Sequence, residues 1–140
     1  MFLQFTATVF DNIEDTILLV GIEADKTYRL LMANAAFGRG SGHITEKSIG
    51  KLVSEIVSPE SYKVLVKWYE KVIKIKKPLN VTAWMNVPLG LQAFDIKMIP
   101  ILNTMGECVQ IAVITHNITE VLKLRAELKD LQAKQASQEG

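Results

Sequence analysis

Five segments of the chain are rich in apolar and β-branched residues and are bounded by turn residues, which predicts five β-strands. These segments are residues 16–22, 27–32, 80–87, 91–102 and 108–115. In the fourth segment Phe94, Ile96 and Met98 alternate with Asp95 and Lys97, so one face of that strand is apolar and the other is mixed. We therefore expect a front hairpin, an antiparallel meander of the last three strands, and helices that cover the apolar face.

Two of the segments that precede residue 57 are predicted to contain a helix. Phe5, Val9 and Ile13, together with Phe2, lie at near-helical intervals, which predicts a short amphipathic helix that lies across the sheet. Residues 34–56 lose the strand period and contain three glycines, so we expect an irregular stretch and then one short helix over 45–56.

A long helix is predicted from Ser58 to about Lys76. Ser58 can accept a hydrogen bond from a free amide, Pro59 suits the first helical position, and Glu60 meets the positive end of the helix dipole. We expect a solvated stripe of lysines opposite its apolar residues, formed by Lys63, Lys67, Lys71 and Lys74.

Near the C-terminus the last strand passes into a helix without an intervening loop, at residues 116–120. Beyond it, apolar residues follow an a/d pattern that lets two helices pair side by side: Val121, Leu124, Leu128 and Leu131. The charges of this helix balance, which permits a parallel homodimer. The pattern is shorter than the three to four heptads of a self-sufficient coiled coil, so we expect support from a neighbouring domain.

Four short motifs, in this order along the chain, resemble those of the PAS family of sensory domains. They are Asn34-Ala35-Ala36-Phe37, similar to N-x-A-F; Ser48-Ile49-Gly50-Lys51, similar to I-G-K; Ser58-Pro59-Glu60; and Asn117-Ile118-Thr119-Glu120, similar to D-I-T-E. The chain departs from the family at Asn117, where an Asp is usual. Asn117 can still cap the exit helix and Glu120 can bond back to it, but the negative charge near the helix N-terminus is lost.

The resemblance covers about residues 5–120 and implies an α+β, PAS-like fold. That fold has a five-stranded antiparallel sheet with helices packed on one face, an N-terminal amphipathic helix and a coiled-coil-like C-terminal exit helix. It divides the chain into a cap helix over 1–15, a sensory core over 16–118 and a signalling helix over 119–140.

The function implied is that of a cytoplasmic sensory or regulatory module in a signal-transduction protein, such as a histidine kinase of a two-component system or a diguanylate cyclase. Such a module is covalently linked to an output domain in a parent protein, which itself can be membrane-attached. The implied mechanism is relay through Asn117, Ile118, Thr119 and Glu120 to a homodimer seam at Val121, Leu124, Leu128 and Leu131. The alternative is a ligand-free PAS module for dimerisation or protein interaction.

A small ligand would lie in a cavity under the sheet. Its predicted walls are Met32, Asn34, Phe37, Ile56, Leu65, Tyr69, Trp84, Phe94, Ile96, Met98, Ile111 and Val113. Asn34 and the Tyr69 hydroxyl are the candidate polar contacts, and the absence of a fixed positive charge favours a neutral or apolar ligand. The same residues could instead interlock as a dry core.

Composition removes several classes of function. The 140 residues are 49% apolar and carry a net charge of +1, which fits one globular core and not a nucleic-acid binder. Cys108 is the only cysteine, so multi-cysteine zinc sites are excluded and no metal site is expected. Haem is disfavoured because residues 59–76 contain no histidine, and His43 and His116 lie elsewhere. An adduct-forming flavin is disfavoured because no cysteine follows Asn34 closely, so no cofactor is predicted.

Catalysis by this chain is not expected. Asp95 and Glu55 are the only carboxylates predicted near the middle of the fold, and both are assigned to polar faces. No grouping of serine, cysteine or histidine supplies a nucleophile with its base. A small α+β isomerase or thioesterase is the remote alternative, since such enzymes also place a curved sheet over a cavity.

Overall fold

The computed structural model describes residues 2–139, and the side chains of residues 4–138. Met1 and Gly140, the ends of the predicted cap and signalling segments, lie outside the described residues, as does the side chain of Phe2. The elements are α1 (Phe2–Asn12), β1 (Thr16–Ile22), β2 (Tyr28–Ala33), α2 (Ala35–Ser41), α3 (Thr45–Ser48), α4 (Val53–Ile56), α5 (Pro59–Ile75), β3 (Leu79–Val87), β4 (Gly90–Leu102), β5 (Cys108–Asn117) and α6 (Thr119–Glu139).

The strands form one antiparallel sheet in the order β2-β1-β5-β4-β3, which confirms the predicted five-stranded architecture. The last three strands form the predicted meander. β5 occupies the centre of the sheet, paired with β1 on one side and β4 on the other. The strand that leads into the exit helix is therefore held along both edges.

The core lies between the inner face of the sheet and the helices. Val20, Met98 and Ile111 are fully buried on β1, β4 and β5, and Tyr69 and Val72 of α5 pack against them. Each such side chain contributes about 1.5–3 kcal/mol through burial of apolar surface. This packing fixes α5 across the sheet.

The long helix α5 has the predicted start. The Ser58 Oγ accepts a hydrogen bond from the Ser61 N–H at 3.2 Å, and Pro59 is the first helical residue. The helix ends at Ile75, followed by Lys76 in the left-handed conformation with a φ of 53°. The four lysines of the predicted stripe are exposed.

Residues 34–56 are more ordered than expected, and the single helix predicted over 45–56 is wrong. The helix α2 was not predicted, and α3 and α4 are separate short helices. Between them the backbone bonds to β2 instead of continuing a helix: the Leu30 N–H donates to the Lys51 carbonyl at 2.9 Å, and the Gly50 N–H donates to the Leu30 carbonyl at 2.7 Å. The helix α3 ends before Ile49, whose ψ of 130° is extended, and Gly50 then has a φ of 92°, which favours glycine.

The N-terminal helix α1 does not lie with its apolar stripe on the sheet. Phe5 is 69% exposed and Val9 is also exposed, so that prediction is wrong. α1 is held instead at its C-terminal end, where the Asp11 carboxylate accepts a hydrogen bond from the Ala35 N–H at 3.1 Å. Helical spacing predicted the helix, but spacing alone does not determine which surface covers it.

Candidate ligand-binding cavity and exit joint

An apolar cavity of about 180 Å³ lies between the inner face of the sheet and the helices. All five strands contribute walls to this cavity, and α2, α4 and α5 contribute the others. The lining consists of Leu18, Val20, Leu30, Phe37, Val53, Ile56, Val57, Leu65, Tyr69, Met85, Ile96, Met98, Val113 and Thr115.

The polar side chains of this lining are two hydroxyls, those of Tyr69 and Thr115. Neither side chain makes a hydrogen bond to another described residue. The Tyr69 ring packs against Tyr28 with centroids 4.6 Å apart, and burial raises the pKa of Tyr69 well above its usual value. The phenol is therefore neutral and free to bond a ligand.

Seven of the predicted wall residues line this cavity. They are Phe37, Ile56, Leu65, Tyr69, Ile96, Met98 and Val113. The remaining five lie elsewhere in the structure.

Met32 and Trp84 are exposed by 49% and 56%, so their prediction as cavity walls is wrong. Trp84 belongs to the outward set of β3, in which every second residue from Leu79 faces the core. Met32 follows a β-bulge, since Leu19 pairs with Met32 whereas Val20 pairs with Leu30. The extra residue on β2 reverses the alternation, which buries Ala33 and exposes Met32.

Asn34 is fully buried but does not line the cavity, so its role as a ligand contact is not supported. Its side chain joins chain segments: Oδ1 accepts from the Ile17 N–H at 3.0 Å, and Nδ2 donates to the Asp15 carbonyl at 2.8 Å. Phe94 and Ile111 pack in the main core and also lie outside the lining. These three residues are structural in this fold.

Sequence reasoning missed half of the lining. The missed residues are Leu18, Val20, Leu30, Val53, Val57, Met85 and Thr115. Strict alternation along β1 and β3 would have found Leu18, Val20 and Met85, since residues two apart share a face. Val53 and Val57 had no such signal, because their segment has no sustained period.

The exit joint between β5 and α6 is one residue long, Ile118. The Ile118 N–H donates to the Ala93 carbonyl at 2.9 Å, and the Ala93 N–H donates to the Thr119 Oγ1 at 2.8 Å. Ala93 is fully buried and Thr119 is 7% exposed. Both backbone groups of one β4 residue therefore hold the first turn of α6.

The other two predicted relay residues differ in their bonding. The Asn117 Oδ1 accepts from the Thr119 N–H at 2.9 Å, and its Nδ2 donates to the Gln92 Oε1 at 3.3 Å. Asn117 thus satisfies one free amide of the helix start with a neutral group. Glu120 is exposed and makes no back-bond to the cap, so the predicted capping box is absent.

The apolar seam predicted on α6 is exposed in the single chain. Val121, Leu124, Leu128 and Leu131 have exposed fractions of 39%, 55%, 57% and 62%. The start of α6 contacts β4, where the Thr119 Oγ1 bonds to Ala93. The four seam side chains are therefore accessible in the single chain.

Both histidines and the cysteine, which lie outside the cavity lining, have local partners. His116 Nδ1 lies 2.7 Å from Asp15 Oδ1, and the His43 ring stacks on Phe37. Burial raises the pKa of the Cys108 thiol, whose Sγ lies 3.3 Å from the Gln110 carbonyl. Among residues 2–139 no three His, Cys, Asp or Glu side chains lie close enough to hold a metal ion.

The two candidate catalytic carboxylates do not face the cavity. Asp95 is exposed on the outer face of the sheet, where it accepts a hydrogen bond from the Thr82 hydroxyl at 2.9 Å. Glu55 is exposed and accepts from the Leu52 N–H at 3.2 Å. Neither is positioned to transfer a proton to a molecule in the cavity.

No helix within residues 2–139 has the length and hydropathy needed to cross a bilayer. The sequence matches no protein-family model and no curated protein.

Solved structures, in contrast, share the fold. The PAS domain from Bordetella pertussis BvgS superposes with a TM-score of 0.67 at 20% identity, over 94% of this chain and 97% of that one. A sensory box sensor histidine kinase from Vibrio cholerae gives a TM-score of 0.65 at 18% identity, over 83% of this chain and 90% of that one. VqmA bound to DPO gives 0.67 at 17% identity, over 81% of this chain and 57% of that one. The element order, the strand order and these superpositions together show that the chain has the PAS domain fold.

Proposed function

We propose that this chain is a sensory module of a signal-transduction protein, which binds a small neutral molecule in the cavity and relays its presence through α6. One observation carries the proposal: β5 lines the cavity with Val113 and Thr115, and α6 begins at Thr119, four residues beyond Thr115. Thr115 and Thr119 are about 13 Å apart along an extended chain, so a ligand that displaces β5 acts on the start of the helix over this short distance.

The cavity defines the chemistry of the ligand. Its volume of about 180 Å³ is slightly larger than the cavity of about 150 Å³ that binds benzene in an engineered protein. Apolar walls favour a neutral ring, and the free hydroxyls of Tyr69 and Thr115 favour a ring with one or two hydrogen-bonding groups. VqmA, which has a similar fold, holds the molecule DPO.

Thermal shift against neutral single-ring compounds, such as phenols and hydroxylated heteroaromatics, tests ligand binding. A true ligand raises the melting temperature with concentration, because it binds only the folded state. The variant Val113→Phe fills the cavity and removes the shift. Val109→Phe is the matched control on the same strand, since Val109 is outside the lining and partly exposed, and it keeps the shift.

Equal shifts in Val113→Phe and Val109→Phe would place the ligand outside the cavity. The hydroxyl contribution is tested by Tyr69→Phe, which removes one hydrogen bond. We expect about five- to tenfold weaker binding of a phenol and unchanged binding of toluene, in line with roughly 1 kcal/mol for one hydrogen bond.

The relay is proposed to act on a homodimer formed by the α6 seam. The exposed a/d residues Leu124 and Leu128 support this, as does the charge pattern, since a parallel in-register pair brings Glu120 of one helix beside Arg125 of the other. Leu124→Lys is expected to reduce dimer formation in sedimentation equilibrium. Ala126→Lys, on the exposed outer side of the same helix, is the control and leaves the dimer intact.

The output is proposed to lie in a covalently linked domain of the parent protein, with histidine kinase and diguanylate cyclase as the candidates. The likeness to a sensor histidine kinase supports the first. We place the module in the cytoplasm, without catalysis of its own and without haem or a flavin adduct. Kinase or cyclase activity of the parent protein should respond to the ligand and lose that response in Val113→Phe, while purified protein should show no haem or flavin absorbance.

The second candidate function is a ligand-free dimerisation module, which the exposed α6 seam favours. The two candidates differ in the cavity variants. A dry module keeps its full activity in the parent protein when Val113 is replaced by Phe, whereas a sensor loses its response.

A further inference from the structure

The outer edge of β3 has open backbone groups along its whole length. β3 is the terminal strand of the sheet and pairs only with β4 among the strands of residues 2–139. Its nine residues, LNVTAWMNV, contain no charge, proline or glycine, and the β3–β4 pairing has no bulge. Natural edge strands are usually protected by such features, so this edge lacks the common devices against strand pairing.

The structure identifies which β3 residues present these groups. Trp84 lies opposite Ala93, and Ala93 uses its N–H and carbonyl on the other side, toward Thr119 and Ile118. Trp84 and Ala93 are therefore a non-hydrogen-bonded pair, and the N–H and carbonyl of Trp84 point away from β4. Because the period is two, the backbone groups of Asn80, Thr82 and Asn86 are open in the same way.

We propose that the open edge of β3 pairs antiparallel with the β3 edge of a second copy of this chain, centred on Ala83. In that register Asn80 faces Asn86 of the other copy, and Thr82 faces Trp84. Each residue whose backbone N–H and carbonyl are open in one copy therefore faces such a residue in the other copy, which gives four hydrogen-bonded residue pairs. The inward residues also match, because Leu79 faces Val87 and Val81 faces Met85, all apolar.

Charge selects the antiparallel orientation. Lys76 and Lys77 precede the strand, and no acidic residue lies within it. A parallel pair would bring these lysines of the two copies together, whereas the antiparallel pair separates them by roughly 40 Å, the length of 12 strand residues. Pro78 and Pro88 border the strand, so the nine uncharged residues are the full length available for pairing.

The exposure of Trp84 fits this interface. Trp84 is 56% exposed on the outer face of the sheet. In the register centred on Ala83 the two Trp84 side chains are diagonal neighbours at about 7–8 Å, which is within reach of aromatic contact. Tryptophan is also enriched among the residues that dominate binding at interfaces.

The test uses the full chain with Leu124→Lys and Leu128→Lys, which disable the α6 seam. This background is expected to self-associate weakly in sedimentation equilibrium, with tryptophan emission moving to shorter wavelength as concentration rises. Trp84→Lys places a charge on the edge and is expected to weaken association about tenfold or more. Leu89→Lys adds the same charge in the adjacent turn, at an exposed residue outside the pairing, and is expected to stay within twofold of the background.

A second variant separates the backbone from the side chain. Asn86→Pro removes an open N–H, while the Asn86 N–H is not part of the β3–β4 ladder, so the monomer keeps its circular dichroism. It retains Trp84 but is expected to lose the concentration-dependent emission shift. A background protein that stays monomeric at about 0.5 mM would overturn the proposal, as would equal effects of Trp84→Lys and Leu89→Lys. If the background protein still forms a dimer and only Trp84→Lys removes it, this result would support the β3 edge and count against the α6 seam.

Discussion

The hydrogen bond between Thr119 and Ala93 is the contact whose removal tests the exit joint most directly. Thr119→Val keeps the shape of the side chain and removes the oxygen that accepts from the Ala93 N–H at 2.8 Å. β4 and β5 begin to pair only at Phe94 and Asn117, so the ladder offers this N–H no other acceptor. Because Ala93 is fully buried, water cannot replace the lost acceptor without a local opening.

The expected loss is about 1–3 kcal/mol, the penalty for a buried donor left unsatisfied. With an m-value of about 2 kcal/mol/M in urea for a domain of this size, the unfolding midpoint falls by roughly 0.5–1.5 M. Thr119→Ser is the matched control, since it keeps the oxygen and loses one methyl group worth about 0.8 kcal/mol or less. Hydrogen exchange of the Ala93 amide should accelerate in the Val variant and stay slow in the Ser variant.

Equilibrium unfolding of the unsubstituted chain, Thr119→Val and Thr119→Ser tests whether this hydrogen bond holds the joint. If the free energy of unfolding of Thr119→Val is within about 0.5 kcal/mol of that of the unsubstituted chain, the hydrogen bond does not hold the joint. The same conclusion follows if Thr119→Ser is as destabilised as Thr119→Val, because the methyl group and not the hydroxyl would then be responsible.

Three further predictions concern polar groups that are buried or partly buried. Asn34→Ala removes the acceptor of the Ile17 N–H and a donor to the Asp15 carbonyl, so urea unfolding should show a loss of about 2–4 kcal/mol, and a loss below 1 kcal/mol would contradict this role. The pKa of Tyr69 is raised in the folded state, so above pH 10 the folded protein keeps the phenol proton that the unfolded chain releases. The free energy of unfolding should therefore fall as pH rises beyond 10. Thermal unfolding should show a less steep fall in Tyr69→Phe, which lacks this proton. The raised pKa of Cys108 reduces its thiolate fraction, so alkylation by iodoacetamide at pH 7.5 should be slower than that of glutathione, and an equal rate would refute the effect of burial.

The strands and the long helix could be predicted from the sequence because their signals are local. Ser58 and Pro59 define the start of α5, and alternation defines β4 within a residue or two. The bulge at Leu19 and the exposure of Met32 could not be predicted, because a bulge depends on the register between two strands. The same limit applies to the break between α3 and α4, where Gly50 and Lys51 bond to Leu30 of β2.

The cavity was only half predictable for a related reason. Residues such as Phe37 and Tyr69 are large and apolar, which makes them candidates in any core. Trp84 satisfies the same criterion, but its side of β3 is set by the register with Ala93. A shift of one residue exchanges the two faces of a strand, so size and hydropathy alone assign a wall residue of a strand to the wrong face as easily as to the right one.

The size of the cavity limits how strongly a ligand can act on α6. A ring of about eight non-hydrogen atoms, which fits about 180 Å³, gains roughly 2–12 kcal/mol in total at about 0.3–1.5 kcal/mol per atom. Moving a two-state equilibrium from 1:99 to 99:1 requires about 5.5 kcal/mol of difference in affinity between the states. So small a ligand can provide this difference only if most of its contacts differ between the two states. A smaller difference is enough if the equilibrium of the helix already lies close to balance. In the relay that we propose, the short a/d seam of four residues from Val121 to Leu131 is expected to give such a balance, since it is too short to form a stable coil by itself.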